Sequence, residues 1–330
     1  MIPRKLLLIA PVMLGLVAAP LAQADDTPIG KAWWPSVHGP DDQAGASNLI
    51  TPEKVIAATQ LIRSGSVIEL GRDYEVGMPL FGARGFSLRI GGNPTGGTFG
   101  SNRIIWNDEF LATDIGQVGT QFDGLGHIGV RVKGDADESH SIYYNGITGA
   151  EMAGAYGLQK LGIEHVKPFF TTGHLIDMVA LRGGMMDAGQ EISVADIEAA
   201  LAAQGKSGDD ITPGDVVLFY TGWGSLWMQD NDRFNGGAPG IGVPAAEWLA
   251  DKQVALVGAD TWPVEVVPNP DSNLAFPAHQ ILLTKNGIFI HENLATERLA
   301  EAGVSTFAYI YNPVPIKGAT GSPGSPLAVY

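Results

Sequence analysis

Gly116-Gln117-Val118-Gly119-Thr120-Gln121-Phe122-Asp123-Gly124-Leu125-Gly126-His127-Ile128-Gly129 is the densest polar, glycine-punctuated stretch of the chain. Gln117, Gln121, Asp123 and His127 all carry odd numbers. In an extended segment, residues two apart share a face. The four side chains are therefore expected on one side, with Val118 and Phe122 on the other. The glycines let the backbone approach a neighbouring group closely. A His four residues after an Asp in such a segment suits a metal ligand or a proton-transfer group. The alternative is a hydrogen-bonded turn with a satisfied His.

A second cluster lies late in the chain, Pro277-Ala278-His279-Gln280 followed by Gly287-Ile288-Phe289-Ile290-His291-Glu292-Asn293. His291 and Glu292 are neighbours at an expected strand end and face opposite ways. At most one of them shares a site with His279.

Between these clusters the pattern alternates. Thr51-Pro52-Glu53 reads as N-cap, first-turn proline and first-turn acid of a helix that stops at Gly65. Ser193-Val194-Ala195-Asp196 resembles a capping box before a helix ending at Gly205. Val243 to Lys252 and Ala295 to Ala302 are shorter helix candidates. Val67 to Leu70, His174 to Leu181, Asp215 to Tyr220, Val254 to Val257 and Gly287 to Ile290 are short apolar runs. Continuous apolar character implies strands buried on both faces. Alternating helices and strands imply an α/β fold in a single domain. Gly82 to Gly100 and Asp230 to Gly242 are expected to be loops within that domain, of the kind that often borders a site.

The 330 residues are 45% hydrophobic and 17% charged, which excludes a disordered chain. There is no cysteine, so disulfides, thiolate nucleophiles and Cys-ligated metals are excluded. Lys and Arg number 20 against 35 Asp and Glu, and no basic stripe appears, so nucleic acid is not an expected partner. Arg4 and Lys5, the apolar run Leu6 to Ala19 and the small-x-small site Ala22-Gln23-Ala24 read as a secretory signal peptide. This divides the chain into a leader, 1–24, and one domain, 25–330, that is exported, to the periplasm in a Gram-negative bacterium. No later stretch is long and apolar enough to span a membrane.

Taken together, the two clusters resemble the metal-dependent cyclase family, which includes kynurenine formamidase, isatin hydrolase and related cyclic-amide and lactone hydrolases. The family signature is H-x-G-T-H-x-D-x-x-x-H, and this chain reads Q-x-G-T-Q-x-D-x-x-x-H from Gln117 to His127. Further ordered similarities extend from about Asp41 to Pro323. They include Gly45 to Glu53, Gly77-Met78-Pro79-Leu80-Phe81, Pro213-Gly214-Asp215, Thr221-Gly222-Trp223, Gly258-Ala259-Asp260-Thr261-Trp262 and Glu292-Asn293-Leu294. The resemblance implies a swivelling β/β/α fold, a homo-oligomer, and a divalent metal, Mn or Zn, that activates water against a carbonyl carbon. It places Gln117, Gln121 and Asp123 at the first metal position, and Asp123, His279 and Glu292 where further ligands or site groups occur. His127 falls at the proton-transfer position.

Both signature histidines are Gln here. An amide oxygen is a harder, weaker ligand than imidazole and leans toward Mn, Mg or Ca rather than Zn. Three arrangements stay open: a hard metal with a Gln-containing shell, one metal on Asp123, His279 and Glu292, or no metal. The expected function is an exported metal-dependent hydrolase that opens a cyclic amide, imide or lactone or cleaves an aryl formamide. The alternative is a periplasmic small-molecule-binding protein that has lost catalysis. Trp33, Trp34, Phe81, Trp106, Trp223 and Trp262 are candidates for an aromatic pocket, with Phe81 and Trp262 foremost as substrate-binding residues. Asp260 is expected either to orient a His ligand or to cap a turn.

Overall fold

A computed structural model of the chain describes residues 27–134 and 137–330, and the expected signal peptide lies outside them. Among the described residues no helix is long and apolar enough to cross a membrane. The core is a nine-stranded mixed sheet. Its strands are β1 (Val67–Glu69), β2 (Gln121–Asp123), β3 (Phe169–Asp177), β4 (Val216–Tyr220), β5 (Leu256–Ala259), β6 (Phe289–Glu292), β7 (Thr306–Tyr311), β8 (Gly321–Pro323) and β9 (Leu327–Val329). They lie in the order β1-β9-β7-β3-β4-β5-β6-β2-β8.

The middle four strands, β3 to β6, run parallel. Every residue of β5 and β6 is buried, as is all of β4 but Tyr220. That is the burial the continuous apolar runs require, because a parallel sheet is covered on both faces. Antiparallel strands close each side. On one flank β2 pairs with β6 in the register Ile290 to Asp123, His291 to Phe122 and Glu292 to Gln121. Residues directly opposite one another share a face. Gln121, Asp123 and Glu292 therefore lie on one side of the sheet, and Phe122 and His291 on the other.

The capping signals start the helices they announce, although the first ends at Thr59 and does not run on to Gly65. Thr51 accepts the Lys54 N–H at the start of α1 (Pro52–Thr59). Ser193 and Asp196 form a reciprocal capping box at the start of α2 (Val194–Ala203). The third long helix, α3 (Val243–Asp251), begins with proline in its first turn.

Three expectations need correction. The run His174 to Leu181 is not one strand. β3 starts earlier and ends at Asp177, whose carboxylate accepts the Ala180 N–H at 2.8 Å and starts a short helix, Met178–Arg182. Gly82 to Gly100 is not all loop: Phe86–Ile90 pairs with Glu109–Thr113, and Gly96–Phe99 with Ile104–Trp106. This ribbon exposes Leu88, Ile90, Phe99, Ile105, Trp106 and Phe110. Asp230 to Gly242 contains a short helix, Asn231–Asn235, capped by Asp230.

Phe122 locks β2 into place. It is fully buried, with ring centres 5.0 Å from Phe289, 5.2 Å from Tyr311 and 5.6 Å from Phe169. Phe122→Ala is expected to cost about 3–5 kcal/mol of stability, from lost burial and the cavity left behind. Chemical denaturation measures it, and a loss below about 1 kcal/mol would contradict this account of the packing.

Candidate metal centre

The site is built where β2, β6 and the segment after β5 meet. Glu292 is the last residue of β6, at the carboxyl end of the parallel strands, where open α/β sheets place their ligands. Asp123 stands on the same face of the neighbouring strand. His279 closes a short helical turn, Pro277–His279, that continues into a π-helix over Gln280–Lys285. His279 Nε2 lies 3.8 Å from Asp123 Oδ2 and 3.4 Å from Glu292 Oε1. All three side chains are buried. One ligand atom from each lies within 4.8 Å of the others, the single such grouping of His, Asp and Glu among the described residues.

Two of these atoms, Asp123 Oδ2 and Glu292 Oε1, are buried and have no hydrogen-bond partner. Buried carboxylate oxygens left bare are costly. The other oxygen of each carboxylate is engaged. Gln121 Nε2 donates to Asp123 Oδ1 at 2.6 Å and to Glu292 Oε2 at 3.0 Å, and Gln117 Nε2 donates to Glu292 Oε2 at 2.6 Å. Thus one oxygen of each acid is tied to an amide and the second faces His279. Two carboxylate oxygens and one imidazole nitrogen, two of these atoms otherwise unpartnered, are a donor set that would suit a divalent ion.

The amide orientation of Gln121 follows from its partners. Its Oε1 accepts the backbone N–H of Gln117 at 2.6 Å, so its nitrogen faces the carboxylates. Gln121 therefore offers no oxygen to an ion between Asp123 and Glu292, contrary to the ligand expectation. Gln117 Oε1 is buried and unpartnered, and remains available.

Burial raises the Glu292 carboxyl, reinforced by the charge of Asp123, to about 8. Burial works against a charged His279, but the hydrogen bond to Glu265 and the charges of Glu265 and Glu292 outweigh it and raise the imidazole to about 10. Both shifts have one meaning: the cluster is short of positive charge.

Glu265 supplies the orientation of His279. It accepts from His279 Nδ1 at 2.5 Å, and also takes the backbone N–H groups of Ala278 and His279. Nδ1 is thereby held as a donor and Nε2 is aimed at the two bare oxygens, the usual outer-shell arrangement of a ligating His. Sequence reading assigned this role to Asp260 as one of two options. Asp260 instead accepts from Thr221 N, Thr221 Oγ1 and Gly224 N, so it caps a turn. The signal for Glu265 was present: it is a lone acid in the apolar run Val264 to Val267.

His127 Nε2 lies 3.7 Å from Asp123 Oδ1, with its ring partly open to the cavity. The expected common face of Gln117, Gln121, Asp123 and His127 holds as strand geometry only for Gln121 and Asp123. Gln117 reaches the site from a left-handed loop position, φ 63°, and His127 from a turn in which its N–H bonds the Gly124 carbonyl. Gly119, also left-handed, packs so close to the Tyr74 ring that an added Cβ would lie 2.4 Å from it. His291 points away from the site and bonds the Tyr309 hydroxyl.

A cavity of about 180 Å³ opens above His279 and Glu292, lined among others by Phe81, Arg84, His127, Trp262 and Phe276. Phe81 stacks on Trp262, with centres 4.4 Å apart and planes 21° apart. Trp223 is core, Trp106 sits on the ribbon, and Trp33 bonds the Tyr143 carbonyl. A larger recess of about 460 Å³, lined by Leu175, Ala200 and Val304 among others, has a single acid, Asp177, in its wall and no metal-binding cluster.

The Cyclase family model matches residues 48–266. A crystal structure described as a novel cyclase is 33% identical, covering 89% of this chain and 98% of its own, with a TM-score of 0.76. Isatin hydrolase A from Ralstonia solanacearum is 19% identical over 85% of this chain and 98% of its own, with a TM-score of 0.59. Isatin hydrolase A from Labrenzia aggregata, solved with benzyl benzoate, is 17% identical over 84% and 97%, with a TM-score of 0.58. At these identities the two isatin hydrolases show a shared fold. No curated protein sequence matches the chain.

Two predictions follow from this geometry. In the metal-free protein burial and the Asp123 charge raise the Glu292 carboxyl, the neighbouring acids raise the His279 imidazole, and both groups must lose their protons to ligate. Metal entry therefore expels protons, and Mn²⁺ affinity measured by calorimetry rises with pH between 6 and 8, by about tenfold or more per unit. An affinity independent of pH over that range would contradict the arrangement. Glu265→Gln should weaken Mn²⁺ binding about 10–100-fold without unfolding the chain.

Proposed function

This chain belongs to the Cyclase family, and we propose that it is an exported metal-dependent hydrolase that adds water to a carbonyl of a cyclic amide, imide or lactone or of an aryl formamide. The observation that carries the reading is the convergence of Asp123 Oδ2, His279 Nε2 and Glu292 Oε1, two of them buried and otherwise unpartnered. These three residues would hold one divalent ion. An ion there supplies Lewis acidity, lowering the pKa of a water and polarising a carbonyl.

The chain's own groups do the rest. Gln117 and Gln121 stand where the family signature has histidines, and they spend their amide donors on the carboxylates. They fix the acids in place instead of building a second metal position. With one imidazole and two carboxylates, the donor set favours Mn over Zn. Glu265 keeps Nε2 of His279 bare. His127, beside Asp123 and open to the cavity, accepts the proton of the attacking water and returns it to the leaving nitrogen or oxygen. Phe81, Trp262 and Phe276 provide an apolar wall for a planar ring.

A second reading rests on the same two glutamines: a binding protein that keeps the pocket without turnover. The two readings separate experimentally. With a panel of cyclic amides, lactones and aryl formamides, the hydrolase reading expects Mn²⁺-dependent turnover that Asp123→Ala abolishes. His127→Ala should lower kcat about 100- to 10,000-fold while Mn²⁺ binding is kept. Turnover unaffected by chelation and by Asp123→Ala would sink the metal mechanism. Stoichiometric Mn²⁺ with no turnover across the panel would favour the binding protein.

A further inference from the structure

Arg84 is the one Arg or Lys in the wall of the cavity above Glu292 and His279 among its described lining residues. Acids outnumber Lys and Arg 35 to 20 in this chain, yet among the described residues no carboxylate lies within ion-pair reach of Arg84. Its guanidinium is held in place by neutral contacts. One N–H donates to the Phe81 carbonyl at 3.1 Å, and the group sits 5.6 Å from the centre of the Phe81 ring. Phe81 in turn stacks on Trp262. Gly82 makes this possible: it turns the chain at φ 65°, and a Cβ there would come within 3.2 Å of the guanidinium.

An Arg presents five donors in a rigid fork that matches a carboxylate. The Phe81 carbonyl takes one. The remaining donors sit at the edge of a pocket whose floor is acidic and whose wall is aromatic. The volume, about 180 Å³, equals roughly six waters at ~30 Å³ each, enough for a small ring and one substituent. The one acid in the pocket lining is Glu292, whose oxygens lie toward Gln117, Gln121 and His279. The metal cluster already has His279, and Arg84 makes no recorded hydrogen bond to Asp123, Glu292 or Glu265.

We propose that Arg84 is a specificity-determining residue that receives a carboxylate carried on the aromatic ring of the substrate, so that the pocket selects anionic aryl amides over their neutral counterparts. This rests on the hydrolase reading for the word substrate, but the recognition itself is a binding property and is tested as one. A carboxylate seated on Arg84 places the ring against Phe81 and Trp262.

The test uses the full mature chain loaded with Mn²⁺, with benzoate and benzamide as probes of the same shape and different charge. Benzoate should bind about tenfold or more tightly than benzamide, since a charge-assisted bidentate contact is lost in the amide. Arg84→Gln should remove that difference while leaving benzamide affinity within about twofold, which also reports an intact pocket. Arg84→Lys, which keeps the charge and loses the fork, should fall between. Equal binding of the two probes by the native chain would overturn the proposal. So would benzoate affinity unchanged by Arg84→Gln, the result expected if the carboxylate goes to the metal instead. Turnover of N-formylanthranilate against formanilide tests the underlying hydrolase reading separately. Cleavage of neither, with the benzoate preference intact and sensitive to Arg84→Gln, would remove aryl formamides from the hydrolase reading and keep the anion subsite.

Discussion

Three buried acids crowd one imidazole at the centre of this protein, and their need for a counter-charge organises what surrounds them. Asp123, Glu265 and Glu292 are each at most 1% exposed. Charges removed from water must be paired or shed. Glu265 meets the need by clasping His279 and two backbone N–H groups. Asp123 and Glu292 each give one oxygen to a glutamine amide and leave the other bare toward His279. A cation between them would resolve the imbalance.

The sheet is what holds the acids to this distance. β6 delivers Glu292 at its carboxyl end, and β2 runs antiparallel beside it, so that Gln121 and Asp123 share the face of Glu292. The alternating face of β2 turns Phe122 the other way, into a cluster with Phe169, Phe289 and Tyr311. The apolar side of the strand thus anchors the polar side. A one-residue slip would exchange the two faces, placing Phe122 in the site and the acids in the core.

Much of this was legible in the residues because the relevant signals are local. The caps Thr51 and Ser193, the apolar runs of β4, β5 and β6, and the opposite facing of His291 and Glu292 all follow from short-range rules. What was not legible depends on tertiary approach. Period-two reasoning placed Gln117 and His127 beside Asp123 as if the whole segment were extended, whereas only Gln121 to Asp123 is strand and the glycine-rich flanks turn. The partner of His279 proved to be Glu265 instead of Asp260, because two acids five residues apart after the same strand diverge once Pro263 and the left-handed Val264 bend the chain. Phe276, also left-handed, enters the cavity from a segment with no periodic signal. Arg84 lay in a glycine-rich stretch flagged only as a border of a site, and its unpaired state is visible only in three dimensions.

Gln117 and Gln121 stand where the resemblance to the cyclase signature leads one to expect histidines. An imidazole ligates with a lone pair, whereas the amide nitrogens of Gln117 and Gln121 can only donate, and the acids beside them can only accept. In this structure the two amides brace the carboxylates, and the account stands on one metal held by Asp123, His279 and Glu292. The most direct test is an anomalous difference map at the manganese edge from crystals of the protein soaked in Mn²⁺. A single peak contacted by Asp123, His279 and Glu292, with both Gln121 amide bonds kept, is the predicted result. A second peak between Gln117 and Gln121, or no peak at the three acid and imidazole ligands, would contradict it.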